Sequence, residues 1–414
     1  MPCSAEPCAS HTITIISPEH LPENFMILSE SVSRRSLLKS GGILTALGML
    51  HVPFSAYAKK IGNHGTLLPF LDVQPAGKML KWENMTQWLT PKDQVFSVSH
   101  YGQPKIDENT WQLHLNGLVK HPLSLTIDQI KARRKKHVFA TLECSGNGAN
   151  PGFMGAIGNI RWTGTPLRAL LSEAGIKTRA SEVVFFGADE KIEKIREKDY
   201  LQNFARSLSL TDTLSDDVLL AYEMNGEPLG PEHGAPLRLV VPGWFGIAWV
   251  KWLTRIEVTD RRFMSKYMGR EYVTIRGEER DGKTIWRETS VGPKDVKSIV
   301  ARALKMSDGT LRFFGAAWTD GTPLAGVEIQ IRTSDKETPS DRWLKTELDR
   351  TQQSKYSWTF FSFDWKKPQP GDWYIVSRAT DTEGRVQPAF DDEAIKLKRT
   401  YWEANQQWPR KLKV

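Results

Sequence analysis

The sequence has 414 residues, 40% hydrophobic and 25% charged, which leaves room for two ordinary globular domains and excludes a fibrous, collagenous or disordered chain. The formal charge of +8 is dispersed, apart from one run at Arg133-Arg134-Lys135-Lys136. No nucleic-acid motif accompanies that run, so it reads as a solvated surface and no nucleic-acid partner is expected.

In chain order the first element is an export signal. Ser33-Arg34-Arg35-Ser36-Leu37-Leu38-Lys39 precedes a short apolar run from Gly41 to Phe54, and Ala56-Tyr57-Ala58 follows with cleavage-type spacing. Residues 1–58 therefore read as a twin-arginine signal peptide, which predicts a periplasmic protein folded around a cofactor before export. An ordinary secretory signal or a buried helix is the competing reading. The apolar run is too short for a membrane span. Signal removal takes Cys3 and Cys8 with it, leaves Cys144 as the lone thiol, and rules out an internal disulfide.

Residues 59–295 are expected to form an α+β domain of mixed short strands. The stretch from 59 to about 80 shows little periodicity. Trp111 to Leu115 alternates like a strand and Asn116-Gly117 turns it. Leu125 to Lys136 reads as a short helix, His137 to Leu142 as a buried strand, Pro166 to Ala174 as a helix closed by Gly175, and Glu182 to Phe186 as a strand. Val218 to Met224 and Leu237 to Val241 are further apolar runs. Residues 296–414 lose the helical signal. Leu311 to Gly315, Gly326 to Arg332, Trp358 to Phe363 and Trp373 to Arg378 alternate at period two, which predicts an all-β sandwich of immunoglobulin type plus a C-terminal tail. The boundary is expected between 275 and 298.

The strongest chemical feature is Leu142-Glu143-Cys144-Ser145-Gly146-Asn147-Gly148. A strand delivers a thiol to its end, and the glycines allow a tight turn. Thiolates suit polarisable transition metals, but one cysteine cannot build a structural zinc site. A metal on Cys144 must bring its other ligands. The alternatives are a nucleophilic thiol beside His100, His137 or His233, and a small buried hydrophobe. The second feature runs from His233-Gly234-Ala235-Pro236-Leu237-Arg238 to Trp249-Val250-Lys251. Arginine supplies a fork, lysine a point charge and the glycine turns free amides, so together these groups can hold a phosphorylated ligand. A buried strand with a satisfied histidine is the bland reading.

The strings LECSGN at 142–147, GAIGNIRWTG at 155–164, LLAYEMNGEPLGPEHGAPLRLVVPG at 219–243 and VKWL at 250–253 resemble the molybdenum domain of sulfite oxidases and assimilatory nitrate reductases. The match runs from about residue 90 to 260, and its motifs recur in order. The resemblance implies a molybdenum-molybdopterin cofactor with Cys144 as the metal ligand. It also implies that His100, Tyr101, Asp189, His233, Arg238, Trp249, Val250 and Lys251 contact the pterin or its phosphate. Tyr267 stands where the family's active-site tyrosine is expected, with Tyr272 the alternative. The last domain resembles one that commonly mediates dimerisation, which implies a homodimer.

Departures from the family bear on substrate. Val98-Ser99 and Gly148-Ala149 stand where sulfite oxidases carry arginines, the loop before GAIG is short, and Asn405 replaces a further arginine, with Arg410 the nearest substitute. Sulfite needs cationic forks. The expectation is therefore oxo transfer to or from a small sulfur-containing compound, either sulfite or a less charged one. A sulfoxide or oxo-anion reductase is the alternative, and a non-catalytic partner-binding protein is the alternative from another class. No Cys-x-x-Cys-His haem site is visible, so electrons are expected to pass to an external protein such as a c-type cytochrome, steered by the positive field.

Overall fold

The computed structural model describes residues 65–75, 77–338 and 341–414. The chain divides into two units, residues 1–52 and 53–414, and every described residue lies in the second. The expected signal peptide lies outside the described residues.

Strands dominate, and the four α-helices among the described residues are short. The α+β expectation therefore overstated the helical part. The predicted helix from Leu125 to Lys136 shrinks to Ile127–Lys131. Thr126 caps it, accepting from the Gln129 amide while the Gln129 side chain accepts from the Thr126 amide. Lys136 instead opens a strand and pairs with Asp216 and Asp217. The second helix, Leu167–Ala174, follows expectation: it buries Leu167, Leu170, Leu171 and Ala174 on one face, and Gly175 ends it at φ +67.

Two sheets share the first core. One orders Leu123–Leu125, Leu113–Gly117, Leu253–Thr259, Glu182–Ile195 and Lys198–Ser209. Leu253–Thr259 runs parallel to Leu113–Gly117 and antiparallel to Glu182–Ile195. The other is antiparallel and orders Arg238–Val240, Leu219–Met224, Ile157–Pro166 and Lys136–Glu143. Leu115, Ile160, Phe185, Leu239 and Ile256 from the two sheets bury fully in one cluster. A ribbon, Val273–Arg280 with Lys283–Ser290, lies across the expected boundary.

Two antiparallel sheets form the second region. One contains Thr66–Leu68, Lys297–Lys305, Leu311–Trp318, Thr359–Trp365 and Glu347–Asp349. The other contains Leu344–Lys345, Leu324–Arg332, Asp372–Asp381 and Arg410–Lys413. Phe313 and Phe361 of the first meet Val327, Ile329 and Ile375 of the second in a single core. Thr66–Leu68 pairs with Ala303 to Lys305, so the stretch expected to be an unpatterned extension is an edge strand of this region. Tryptophans join the two regions. Trp82 stacks on Trp318 at 6.0 Å, and the indoles of Trp88 and Trp358 each donate to the other's carbonyl at 3.1 and 2.9 Å.

Candidate functional site

Cys144 stands one residue past the Lys136–Glu143 strand. Its amide donates to the Ala156 carbonyl at 2.9 Å, and its carbonyl accepts from Asn147 at 2.9 Å, so the chain turns back directly under the thiol. Burial pushes the thiol up to about 11. That shift favours the thiol over the thiolate, and a cation bound to the sulfur would reverse it. The nucleophilic reading loses its basis, since a nucleophile needs a depressed thiol.

A cleft opens above Cys144. His100, Asp189, His233, Arg238, Trp249, Lys251 and Tyr272 line it with Cys144. The sequence scatters these residues over 173 positions, and the sheets collect them. His233 ends the short turn Pro231–His233, Arg238 opens the Arg238–Val240 strand, and Lys251 precedes the Leu253–Thr259 strand. Gly234, at φ +101, lets these segments meet. A Cβ there would lie 2.9 Å from Lys251 Cβ and 3.2 Å from Arg238 Cβ.

The electrostatics of this wall are unusual. Arg238 is fully buried, and its guanidinium donates only to the His233 and Trp249 carbonyls, at 3.0 and 3.1 Å. It lies over the Trp162 ring at 4.9 Å. Burial alone lowers it to about 9. Lys251 Nζ donates to Ser97 Oγ at 3.0 Å and to the Glu232 carbonyl at 2.9 Å, and burial with the nearby Arg238 charge lowers it to about 7. His233 falls to about 4 by burial and the same arginine, so it is neutral. Neither Arg238 nor Lys251 is ion-paired to a carboxylate among the described residues. Asp189 is raised to about 6 by burial, and its Oδ1, Arg238 Nε and Ser145 Oγ are buried without partners. Such groups are costly unless a ligand completes them.

On the far side, His100 stacks on Tyr267 at 4.7 Å, and its Nε2 lies 3.0 Å from Tyr272 Oη. Burial lowers His100 and raises both tyrosines. Of the two tyrosines, Tyr272 lines the cleft. Tyr267 sits behind His100, in contact with Phe204 and Tyr101. Tyr101 packs in this aromatic layer rather than on the cleft wall, and Val250 is buried with its amide turned to the Ala248 carbonyl. A π-helical turn, Lys266–Arg270, carries Tyr267, and the buried Arg206 binds the Tyr267 and Val291 carbonyls. Trp402 stacks on Tyr272 at 4.0 Å, and Tyr401 covers Gly146.

Sequence reasoning missed Ser97, Arg206, Tyr401 and Trp402, which belong to no contiguous pattern. Trp162 stood inside the GAIGNIRWTG string, where a tryptophan beside a buried arginine is a readable signal. Arg410 does not reach this site. It pairs with Asp72 at 2.9 Å inside the second region, so the absent arginine is not replaced from there.

Residues 100–267 match the family described as oxidoreductase molybdopterin binding domain. The chain is 29% identical over 350 residues to the mitochondrial sulfite oxidase of Drosophila melanogaster, covering 77% of this chain and 58% of that protein. It is 28% identical over 325 residues to that of Rattus norvegicus, covering 73% and 57%. It is also 35% identical over 196 residues to nitrate reductase 2 (NADH) of Phaseolus vulgaris, covering 44% and 22%. Residues 100–267 thus form a molybdopterin-binding oxidoreductase domain, and the chain is similar to the sulfite oxidases over most of its length. It spans under three fifths of the length of the sulfite oxidases it matches. Its fold is that of the sulfane dehydrogenase SoxCD from Paracoccus pantotrophus, with a TM-score of 0.68, 24% identity, and coverage of 91% of this chain and 96% of that one. Molybdopterin fits the residues present: the unpaired Arg238 and Lys251 suit a phosphate, the orphaned Asp189 oxygen a pterin N–H, and the softened cleft floor a metal on sulfur.

Proposed function

We propose that this chain is a molybdenum-pterin enzyme that moves an oxygen atom to or from a small sulfur-containing compound of low charge. The observation that carries the reading is a desolvated thiol at the floor of a cleft whose buried cations have no anionic partner. The bound group would supply two-electron redox chemistry and the oxo group. Cys144 would ligate the metal. Arg238, Lys251 and neutral His233 would hold the phosphate, with Asp189 and His100 on the pterin, and the Trp249 and Val250 backbone shaping that wall. Tyr272, rather than Tyr267, stands at the reacting side. Its hydroxyl shares a hydrogen bond with His100 Nε2, and burial, which lowers His100 and raises Tyr272, keeps both groups neutral. Trp402, stacked on Tyr272, covers that edge.

Tyr272 lines the cleft with Cys144, Trp402 stacks on Tyr272, and Tyr401 and Phe153 flank Gly146, while Arg206 is held by the Tyr267 and Val291 carbonyls and the Ser290 hydroxyl. A sulfite dianion would find no fork there. A polarisable, weakly charged sulfur group finds aromatic rings, which supports a sulfane-type or sulfoxide substrate and admits the reductive direction as a second reading. Turnover of sulfite, thiosulfate and sulfoxides by the molybdenum-loaded chain tests this, and sulfite as the best substrate by kcat/KM would defeat it.

The remaining assignments belong to the same proposal. Export to the periplasm by the twin-arginine route rests on Arg34-Arg35. Electron exchange with a separate redox protein such as a c-type cytochrome rests on the absence of a haem motif in the sequence. Residues 59–295 form the catalytic domain and 296–414 an immunoglobulin-like sandwich that pairs two copies, with Thr66–Leu68 lent to the sandwich.

A further inference from the structure

Behind Cys144 lies a second charged cluster that lines no cleft. Glu143 and Lys297 form an ion pair at 3.0 Å, with side chains 1% and 2% exposed. All three ammonium donors are used: Nζ meets Glu143 Oε1, the Asn147 carbonyl at 2.5 Å and the Ala404 carbonyl at 2.7 Å. Glu143 Oε1 also accepts from Asn147 Nδ2 at 3.0 Å, and Oε2 accepts from the Trp318 indole at 2.6 Å. Asn147 Oδ1 takes the Ala156 amide at 3.0 Å, and Gln406 donates to the Gly148 carbonyl at 2.8 Å. A Cβ at Gly148 would lie 2.8 Å from Lys297 Nζ.

A buried ion pair rarely adds stability over an apolar pair of the same volume, because desolvation cancels the attraction. What this network supplies is direction. Glu143, Asn147 and the Asn147 and Gly148 carbonyls beside Cys144 are each aimed at a partner, and Lys297, Trp318, Ala404 and Gln406 all come from the second region. We propose that Lys297 is a positioning residue for the Cys144 loop, so that the second region sets the geometry of the metal ligand at the cleft floor. This rests on the proposed cofactor role of Cys144, but the loop's order is measurable without the cofactor.

The test uses the full chain and three variants: Lys297→Met, Glu143→Gln with Lys297→Met, and Lys297→Arg. The double change removes the stranded carboxylate and is the decisive one if Lys297→Met alone does not fold. Hydrogen exchange at the Asn147 and Gly148 amides of the cofactor-free chain should quicken by about tenfold in the double variant, while the Leu253–Thr259 strand keeps its protection. In the molybdenum-loaded chain, the sulfur-to-metal charge-transfer absorption per bound molybdenum should shift. Lys297→Arg, which keeps the charge and loses the three-way fit, should lie between the two and is read in the same way if both methionine variants fail to fold. Native exchange and a native band in folded variants would overturn the proposal. A parent chain that takes up no molybdenum would instead sink the cofactor reading and leave the exchange result standing.

Discussion

Two sets of cations on either side of Cys144 are treated oppositely. Behind Cys144, Lys297 spends its charge on Glu143 and two carbonyls. In front, buried Arg238 and half-buried Lys251 meet only neutral carbonyls and a hydroxyl, and both fall well below their ordinary values. Burial without a counter-charge does not by itself mark a ligand site, since Arg206 and Lys294 sit buried on carbonyls away from the cleft; Arg238 and Lys251 are distinguished by lining it. The rear cluster is complete as it stands, and the front one is half of an interaction.

Four perturbations would break or sharpen that contrast. The largest is Cys144→Ser, which should abolish turnover and molybdenum retention together; retained activity in metal-analysed protein contradicts the ligand role. Next, Arg238→Met should weaken cofactor retention by about 100-fold, as loss of a charged contact to a bound group does. Arg133→Met, which removes a surface pair with Glu173 and a bond to the Gln129 carbonyl far from the cleft, should change nothing when molybdenum per chain is measured after dialysis. Third, Tyr272→Phe should lower kcat by about 10- to 100-fold, with Tyr267→Phe affecting it several-fold at most; the reverse order would return the role to Tyr267. The smallest effect is in pH. A lysine lowered to about 7 binds fewer protons folded than unfolded, so Lys251 adds stability to the cofactor-free chain as pH rises from about 7 towards 10.5. A bound phosphate restores that proton, so affinity should fall by up to about tenfold per pH unit above 7. Melting curves of loaded and cofactor-free protein should therefore converge through that window, and Lys251→Met should flatten the trend.

Much of the front site was legible because its groups sit in short contiguous strings, from His233 to Arg238 and from Trp249 to Lys251. The strand carrying Cys144 was legible from its apolar run. The long hairpin Glu182–Ile195 with Lys198–Ser209 was not. Its distal half is charged and solvated on both faces, so it shows no alternation. It turns at Arg196 and Glu197, both at positive φ, where asparagine and glycine would have signalled the turn. The choice between Tyr267 and Tyr272 was also illegible. Five residues of sequence cannot show that a π-helical turn sends one ring behind His100 and the other to the cleft. The rear network escaped for a different reason: each of its bonds joins residues about 100 or more positions apart, except those within the loop itself.

The sandwich is sealed by segments 338 positions apart, where Asp72 grips Arg410, Leu71 donates to the Lys411 carbonyl, and Thr66–Leu68 edges the opposite sheet. In the order of synthesis, its first strand waits for its last while the whole cleft is made in between. A fragment of residues 296–414 would therefore present a bare strand edge and an unpaired buried arginine. The two halves cannot be separated by cutting the chain once.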